Sequence, residues 1–139
     1  MYARNIEAEL YAALANTPVV LLNGACQTGK STLARNFAKA SSVPCVTLDD
    51  ATQLAAAKSD TQGFLSRFGD RVVIDEVQKA PALFPAIKMS VDQDRRPGRF
   101  MLTGSANVLL LPQISESLGS TKIPFPTISS THSANPGGR

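Results

Sequence analysis

The sequence is poor in the side chains on which many enzyme classes depend. Its 139 residues include one histidine, His132, two cysteines and no tryptophan. A single histidine argues against a histidine-based metal site and against a catalytic triad. Cys26 and Cys45 have neither the spacing of a metal site nor that of a redox pair. We therefore expect reduced thiols and a cytoplasmic protein.

Long apolar runs and strong net charge are also absent. No apolar run approaches the roughly 20 residues that cross a bilayer, and the first residues lack the apolar centre of a signal peptide. The chain has 14 Lys plus Arg and 11 Asp plus Glu, a net charge of +3, which does not support a nucleic-acid partner. Hydrophobic residues make up 43% of the chain, enough for one packed domain.

Short apolar strands alternate with helical patterns along the chain. Helices are predicted at 5–15, 30–40, 51–57, 61–68, 109–118 and from Pro81 onward, and strands at 19–22, 45–48, 71–75 and 99–102. Strand–helix alternation requires crossover connections, which give a parallel sheet covered on both faces. The expected fold class is therefore α/β, a three-layer sandwich with a parallel sheet.

The strongest functional signal is a glycine-rich loop between the first strand and the second helix. It fits the P-loop pattern and is read as nucleotide-binding together with Thr32; its residues are Gly24, Ala25, Cys26, Gln27, Thr28, Gly29, Lys30 and Ser31. Main-chain N–H groups and the start of the helix would face phosphate oxygens. Lys30 would add its charge there, and the Ser31 hydroxyl would bind Mg²⁺.

An acidic pair follows the third predicted strand. Asp75 and Glu76 come directly after an apolar run, as in a Walker B element. Asp75 is predicted to hold Mg²⁺ together with Ser31, while Glu76 would activate the attacking water, with Lys30 as its catalytic partner.

Small polar residues follow the fourth predicted strand. Ser105 is the first choice for a residue that senses the terminal phosphate, with Asn107 and Thr103 as further candidates. An ordinary strand-to-helix turn would show the same residues. The Asp-x-x-Gly and Asn-Lys-x-Asp patterns of Ras-type GTPases are absent, which favours ATP. A small-molecule kinase remains the less favoured alternative.

Five stretches together resemble a prokaryotic family of AAA-like P-loop ATPases. They are LNGACQTGKSTL at 22–33, TLDD at 47–50, VVIDEVQKAPALF at 72–84, DRRPGRFMLTGSAN at 94–107 and SESLG at 115–119. The resemblance implies an ATPase domain with strand order 5-1-4-3-2 and the cofactors ATP and Mg²⁺. Family members normally continue into a C-terminal domain that is nuclease-like in some of them.

Three departures from the family pattern lead to further expectations. Cys26 stands where the family usually has arginine, and Ser120 stands where it usually has a candidate arginine finger. Pro124 and Pro126 predict that the fifth strand is missing, because proline removes ladder donors. The first strand would then be an open edge available to a partner strand or a second copy.

The expected organisation is an incomplete ATPase core and a tail. The core would cover 1–119, while 120–139, rich in Ser, Thr, Pro and Gly, would be disordered. The chain would then be a truncated or frameshifted ATPase domain. We expect slow hydrolysis of Mg-ATP to ADP and phosphate; the alternative is a remnant that binds ATP without hydrolysing it.

Overall fold

The computed structural model describes residues 2–23, 30–104 and 120–124 of the chain. Helices and strands alternate in the order α1 (Tyr2–Asn16), β1 (Val19–Asn23), α2 (Lys30–Ser41), β2 (Cys45–Thr47), α3 (Ala51–Ser59), α4 (Thr61–Ser66), β3 (Val72–Asp75), a 3₁₀ helix (Val77–Lys79), α5 (Leu83–Gln93), β4 (Phe100–Gly104) and β5 (Ser120–Pro124). The predicted helix at 109–118 lies outside the described residues.

The five strands that the structure describes are parallel and form one sheet. Their order is β2-β3-β4-β1-β5, the order that the family resemblance implies. In the register of the central pairs, Val19 lies opposite Phe100 and Val73 lies opposite Met101. The predicted α/β fold with a parallel sheet is confirmed.

Successive side chains of each strand pack against opposite helical layers, because strand side chains alternate between faces. Val20, Leu22, Val73 and Met101 pack in one cluster with residues of α1 and α2. The neighbouring strand residues pack in a second cluster with α3, α4 and α5; they include Val19, Leu21, Ile74 and Leu102. The core is thus divided by the sheet into two apolar layers.

The fifth strand is present, so the prediction that it is missing is wrong. Ser120–Pro124 pairs in parallel with β1, and Pro124 lies opposite Asn23 in the last register position. Proline is tolerated here because β5 has a single neighbour in the part of the sheet that the structure describes, and Pro124 is its final residue. The predicted tail at 120–139 therefore includes a strand at its start, and its remaining residues lie outside the described part of the chain.

The position of β5 also corrects the expectation of an open β1 edge. β1 lies between β4 and β5, so its main chain is already paired on both sides. An exposed β1 therefore offers no place for a partner strand or a second copy.

Two boundaries near α5 differ from the sequence prediction. The helix begins at Leu83 rather than at Pro81, and a short 3₁₀ helix precedes it. Pro85, in the first turn of α5, is tolerated because the first N–H groups of a helix have no intrahelical acceptor. Among the helices that the structure describes, none is both long and apolar enough to cross a membrane.

Candidate functional site

The candidate site lies where β1, β3 and β4 end on the same edge of the sheet. Parallel strands share the direction of their carboxyl ends, so Asn23, Asp75 and Gly104 lie on that edge. The α2 helix packs over β3 and β4 and begins at Lys30. Ligands of open α/β sheets bind at this edge, outside the strand ends.

Asp75 is the most enclosed acid of this edge. It is 4% exposed, and its two carboxylate oxygens accept hydrogen bonds from two threonines on neighbouring strands. Thr47 of β2 donates to Oδ2 at 2.9 Å, and the fully buried Thr103 of β4 donates to Oδ1. The carboxylate is thereby held in one orientation at the tip of β3.

Glu76 leaves the strand in a left-handed backbone conformation. Its φ is 60° and its ψ is 45°, values that are uncommon for a residue with a side chain. Its N–H donates to Thr103 Oγ1 at 3.1 Å, and its Oε1 accepts from Gln78 Nε2 at 2.6 Å. The sharp turn therefore directs the chain away from the strand axis and places the half-buried Glu76 carboxylate beside Asp75.

A third acid, Asp49, joins this pair at the end of β2. Asp49, Asp75 and Glu76 each place one carboxylate oxygen within 4.8 Å of the others. Asp49 also forms an ion pair with Lys79 at 2.6 Å. A set of carboxylate and hydroxyl oxygens is the donor type that Mg²⁺ prefers, so the residues present fit this ion.

Asp49 was not among the predicted site residues. In the sequence it belongs only to the TLDD stretch of the family resemblance. One signal could have revealed it: Asp49 follows a strand parallel to β3, so the two acids come to the same sheet edge.

A cavity of about 490 Å³ opens beside Asp75 between α2 and β2. Arg35 and Lys39 of α2 line one side, and Cys45 and Thr47 of β2 line another. Cys45 is exposed at the surface, but partial burial of its thiol and, secondly, the negative charge of Asp75 raise the pKa of that thiol, while Arg35 acts in the opposite direction. The Cys45 thiol is free and is disfavoured as a thiolate.

The structure places some predicted site residues and does not describe others. Lys30 and Ser31 form the first turn of α2, followed by Thr32 on its exposed side. Asp75, Glu76 and Thr103 come together as described above. The predicted loop residues Gly24, Ala25, Cys26, Gln27, Thr28 and Gly29 and the sensor candidates Ser105 and Asn107 lie outside the described residues.

Comparison with protein families gives one match over most of the chain. Residues 16–125 match the model of a family described as an AAA domain. The chain is 42% identical over 120 residues to the uncharacterized protein Rv2008c of Mycobacterium tuberculosis. That alignment covers 83% of this chain and 26% of the relative, so the chain spans about a quarter of the relative's length.

Solved structures show the same fold at low sequence identity. AMPPCP-bound DnaA from Aquifex aeolicus is 14% identical with a TM-score of 0.55, over 88% of this chain and 44% of DnaA. A variant of RuvB from Thermotoga maritima is 24% identical with a TM-score of 0.51, over 91% of this chain and 46% of RuvB. These similarities confirm the fold.

Proposed function

Because the chain belongs to the AAA domain family, we propose that it binds Mg-ATP at the carboxyl edge of its sheet and slowly hydrolyses it to ADP and phosphate. The observation that carries the proposal is the buried Asp75, which Thr47 and Thr103 hold in place. Its strand, β3, is separated by β4 alone from β1, which leads into the β1–α2 connection. Family membership supports nucleotide binding in general, and the choice of ATP and the hydrolysis are our inference.

The phosphates would be bound by main-chain N–H groups of residues 24–29 and by the start of α2. A helix N-terminus attracts anions because its first N–H groups have no intrahelical acceptor and its dipole is positive there. Lys30, at this position, would place its ammonium group against the terminal phosphates. A buried strand followed by this loop and helix is the arrangement that the mechanism requires.

Mg²⁺ would be held by Ser31 and Asp75, with Asp49 near enough to contribute through water. Asp75 ends β3, Asp49 follows the neighbouring parallel strand β2, and Ser31 lies in the first turn of the helix α2. When bound, the ion neutralises charge on the phosphate oxygens. Asp75 contributes a fixed carboxylate whose orientation does not depend on the nucleotide.

Glu76 would act as the general base for the attacking water. The water oxygen forms a bond to the terminal phosphorus while the bridging bond to the leaving ADP breaks, and Glu76 accepts the water's proton. Gln78 holds one oxygen of this carboxylate at 2.6 Å and so restricts its rotation. Without an arginine at Ser120 the reaction is expected to be slow, since arginine fingers contribute roughly 10³ to 10⁵ in rate.

The test compares Mg-ATP affinity and phosphate release in the 139-residue chain and two variants. Lys30→Ala should weaken binding by about tenfold or more, and Glu76→Gln should bind normally but release phosphate at least about tenfold more slowly. Lys58→Ala and Glu9→Gln remove the same groups from exposed helical positions and serve as matched controls.

Each outcome assigns the chain to one class. If Lys30→Ala binds Mg-ATP as tightly as the parent chain, the site is not the one proposed. If the parent chain and Glu76→Gln bind nucleotide but release phosphate equally at background level, the chain is a non-hydrolysing ATP-binding protein. Transfer of labelled phosphate to an added small molecule instead of water would identify a kinase.

A further inference from the structure

Two threonine hydroxyls are arranged in the same way on either side of Asp75. Thr47 Oγ1 accepts the N–H of Asp49 at 3.2 Å and donates to Asp75 Oδ2 at 2.9 Å. Thr103 Oγ1 accepts the N–H of Glu76 at 3.1 Å and donates to Asp75 Oδ1. Each hydroxyl therefore links one carboxylate oxygen of Asp75 to the main-chain N–H of another acid, Asp49 or Glu76.

The main-chain N–H groups determine the direction of both hydroxyl protons. A hydroxyl has one proton and two lone pairs. Because each threonine oxygen accepts an N–H on one side, its proton points to the carboxylate on the other. Rotation of either hydroxyl would remove one hydrogen bond from the buried Asp75 carboxylate, which is costly in the interior.

From this geometry we infer that Thr47 and Thr103 are positioning residues for the metal-binding carboxylate, a role that rests on the function proposed above. They fix the plane of the Asp75 carboxylate by holding both of its oxygens. Partners of this kind orient metal ligands, and their removal typically reduces metal affinity or activity by about 10–100-fold.

Thr103 therefore has a role other than contact with the terminal phosphate. Its hydroxyl already accepts from Glu76 and donates to Asp75, and the residue is fully buried. Thr103 also connects two parts of the site, since it holds the proposed metal ligand and the left-handed turn of the proposed base. Its register partner on β1 is Leu22, close to the start of the phosphate-binding loop.

The test measures how much Mn²⁺ improves the binding of a non-hydrolysable ATP analogue. Affinity is determined with Mn²⁺ and in EDTA for the parent chain and for Thr47→Val, Thr103→Val and Thr103→Ser. We expect the two valine variants to lose about tenfold or more of the metal-dependent gain while the affinity in EDTA changes little. Serine retains the hydroxyl and should restore most of the gain.

Thr61→Val is the matched control, because it removes a half-buried hydroxyl that donates to Ala57 O at 2.8 Å, remote from Asp75. A purely structural role predicts that the valine variants lose affinity equally with Mn²⁺ and in EDTA, or lose none, and either result overturns the inference. If Thr103→Val does not fold, the half-buried Thr47 decides through Thr47→Val. Failure of the parent chain to bind the analogue at all contradicts the proposed function itself.

Discussion

Glu76 combines a proposed catalytic role with an unfavourable backbone conformation. At φ 60° its Cβ approaches the main chain in a way that costs roughly 1–2 kcal/mol for a residue other than glycine. The turn at Glu76 redirects the chain from the buried β3 into the 3₁₀ helix, and the Thr103 hydroxyl accepts the N–H of Glu76. Such strain is found at functional sites, where the surrounding structure maintains it.

We therefore predict that Glu76→Gly is more stable than Glu76→Ala by about 1 kcal/mol, because only glycine adopts this conformation without strain. Both variants should lose hydrolysis. Chemical denaturation gives the free energies of unfolding. Ser42, the other described non-glycine residue with a positive φ, provides the control. Ser42→Gly should be more stable than Ser42→Ala by a similar free energy of unfolding, and neither should affect hydrolysis. Equal stability of the glycine and alanine variants would contradict the strain argument.

Cys45 reports on the charge of Asp75. Burial and the Asp75 charge raise the pKa of the thiol, so the reactive thiolate forms only as the pH rises above the ordinary cysteine range. In a Cys26→Ser background, alkylation by iodoacetamide at pH 8 should be slow and should accelerate on Asp75→Asn. Arg35→Gln should make alkylation slower than in the Cys26→Ser parent, because Arg35 lowers the pKa of the thiol. Asp92→Asn, an exposed carboxylate, is the control and should leave the rate unchanged. An unchanged rate in Asp75→Asn would show that the Asp75 charge does not act on the thiol.

At the scale of elements, one side chain organises the junction of α3 and α4. Asp60 ends the first helix and caps the second, accepting the N–H of Gly63 at 3.1 Å. A Cβ on Gly63 would lie 2.2 Å from Asp60 Oδ2. The glycine is therefore required by the cap rather than by its own backbone angle.

This relation predicts a change of sign in a double-mutant cycle. Asp60→Ala should cost about 1 kcal/mol through loss of the cap. Gly63→Ala should destabilise the parent chain, because the methyl group displaces the carboxylate. In the Asp60→Ala background the same substitution should stabilise by about 0.5–1 kcal/mol, the ordinary helical gain. Free energies of unfolding for the four proteins test this. Additive effects would show that the cap and the glycine are independent.

The edge strand β5 provides a test at the same scale. A chain ending at Gly119 lacks β5 and leaves one side of β1 unpaired, whereas a chain ending at Pro124 retains the pairing. We expect the shorter chain to unfold at lower temperature and to aggregate, since an apolar strand at an open edge recruits other strands. Thermal unfolding and light scattering measure both effects. Equal behaviour of the two chains would mean that β5 does not contribute to the sheet's stability.

The sequence was sufficient to predict elements whose local and tertiary preferences agree. β1, β3 and α2 were predicted because apolar runs, the glycine-rich loop and the acidic strand end indicate the same fold. β5 was missed because Pro124 and Pro126 remove ladder donors. The implied order 5-1-4-3-2 already placed this strand at an edge, where a proline at the last position is tolerated. Thr47 and the Thr103 hydrogen bonds could not be found from sequence, since they depend on which strand tips become neighbours. Asp49 had one signal, its place directly after a strand that runs parallel to β3.

At the scale of the whole molecule, the site depends on segments distant in sequence. Thr47, Asp75 and Thr103 come from three strands, and β1 leads into the loop that would bind the phosphates. A ligand that contacts all of these segments binds the folded state and not the unfolded one. Binding should therefore stabilise the entire domain by mass action.

We accordingly predict that Mg-ATP at about 100 times its dissociation constant stabilises the chain by about 2.7 kcal/mol and raises its melting temperature by roughly 5–10 °C. The shift should be smaller with ATP in EDTA, and smaller again for Asp75→Asn with Mg-ATP, because that variant weakens the metal contact. At the same nucleotide concentration Lys30→Ala should keep at most about half of the stabilisation, because tenfold weaker binding leaves about 1.4 kcal/mol. Lys58→Ala, the matched control, should behave as the parent chain. Differential scanning fluorimetry with a nucleotide titration provides the measurement. An equal shift in Lys30→Ala would place the nucleotide elsewhere on the molecule, and the Asp75 edge would then have no part in binding it.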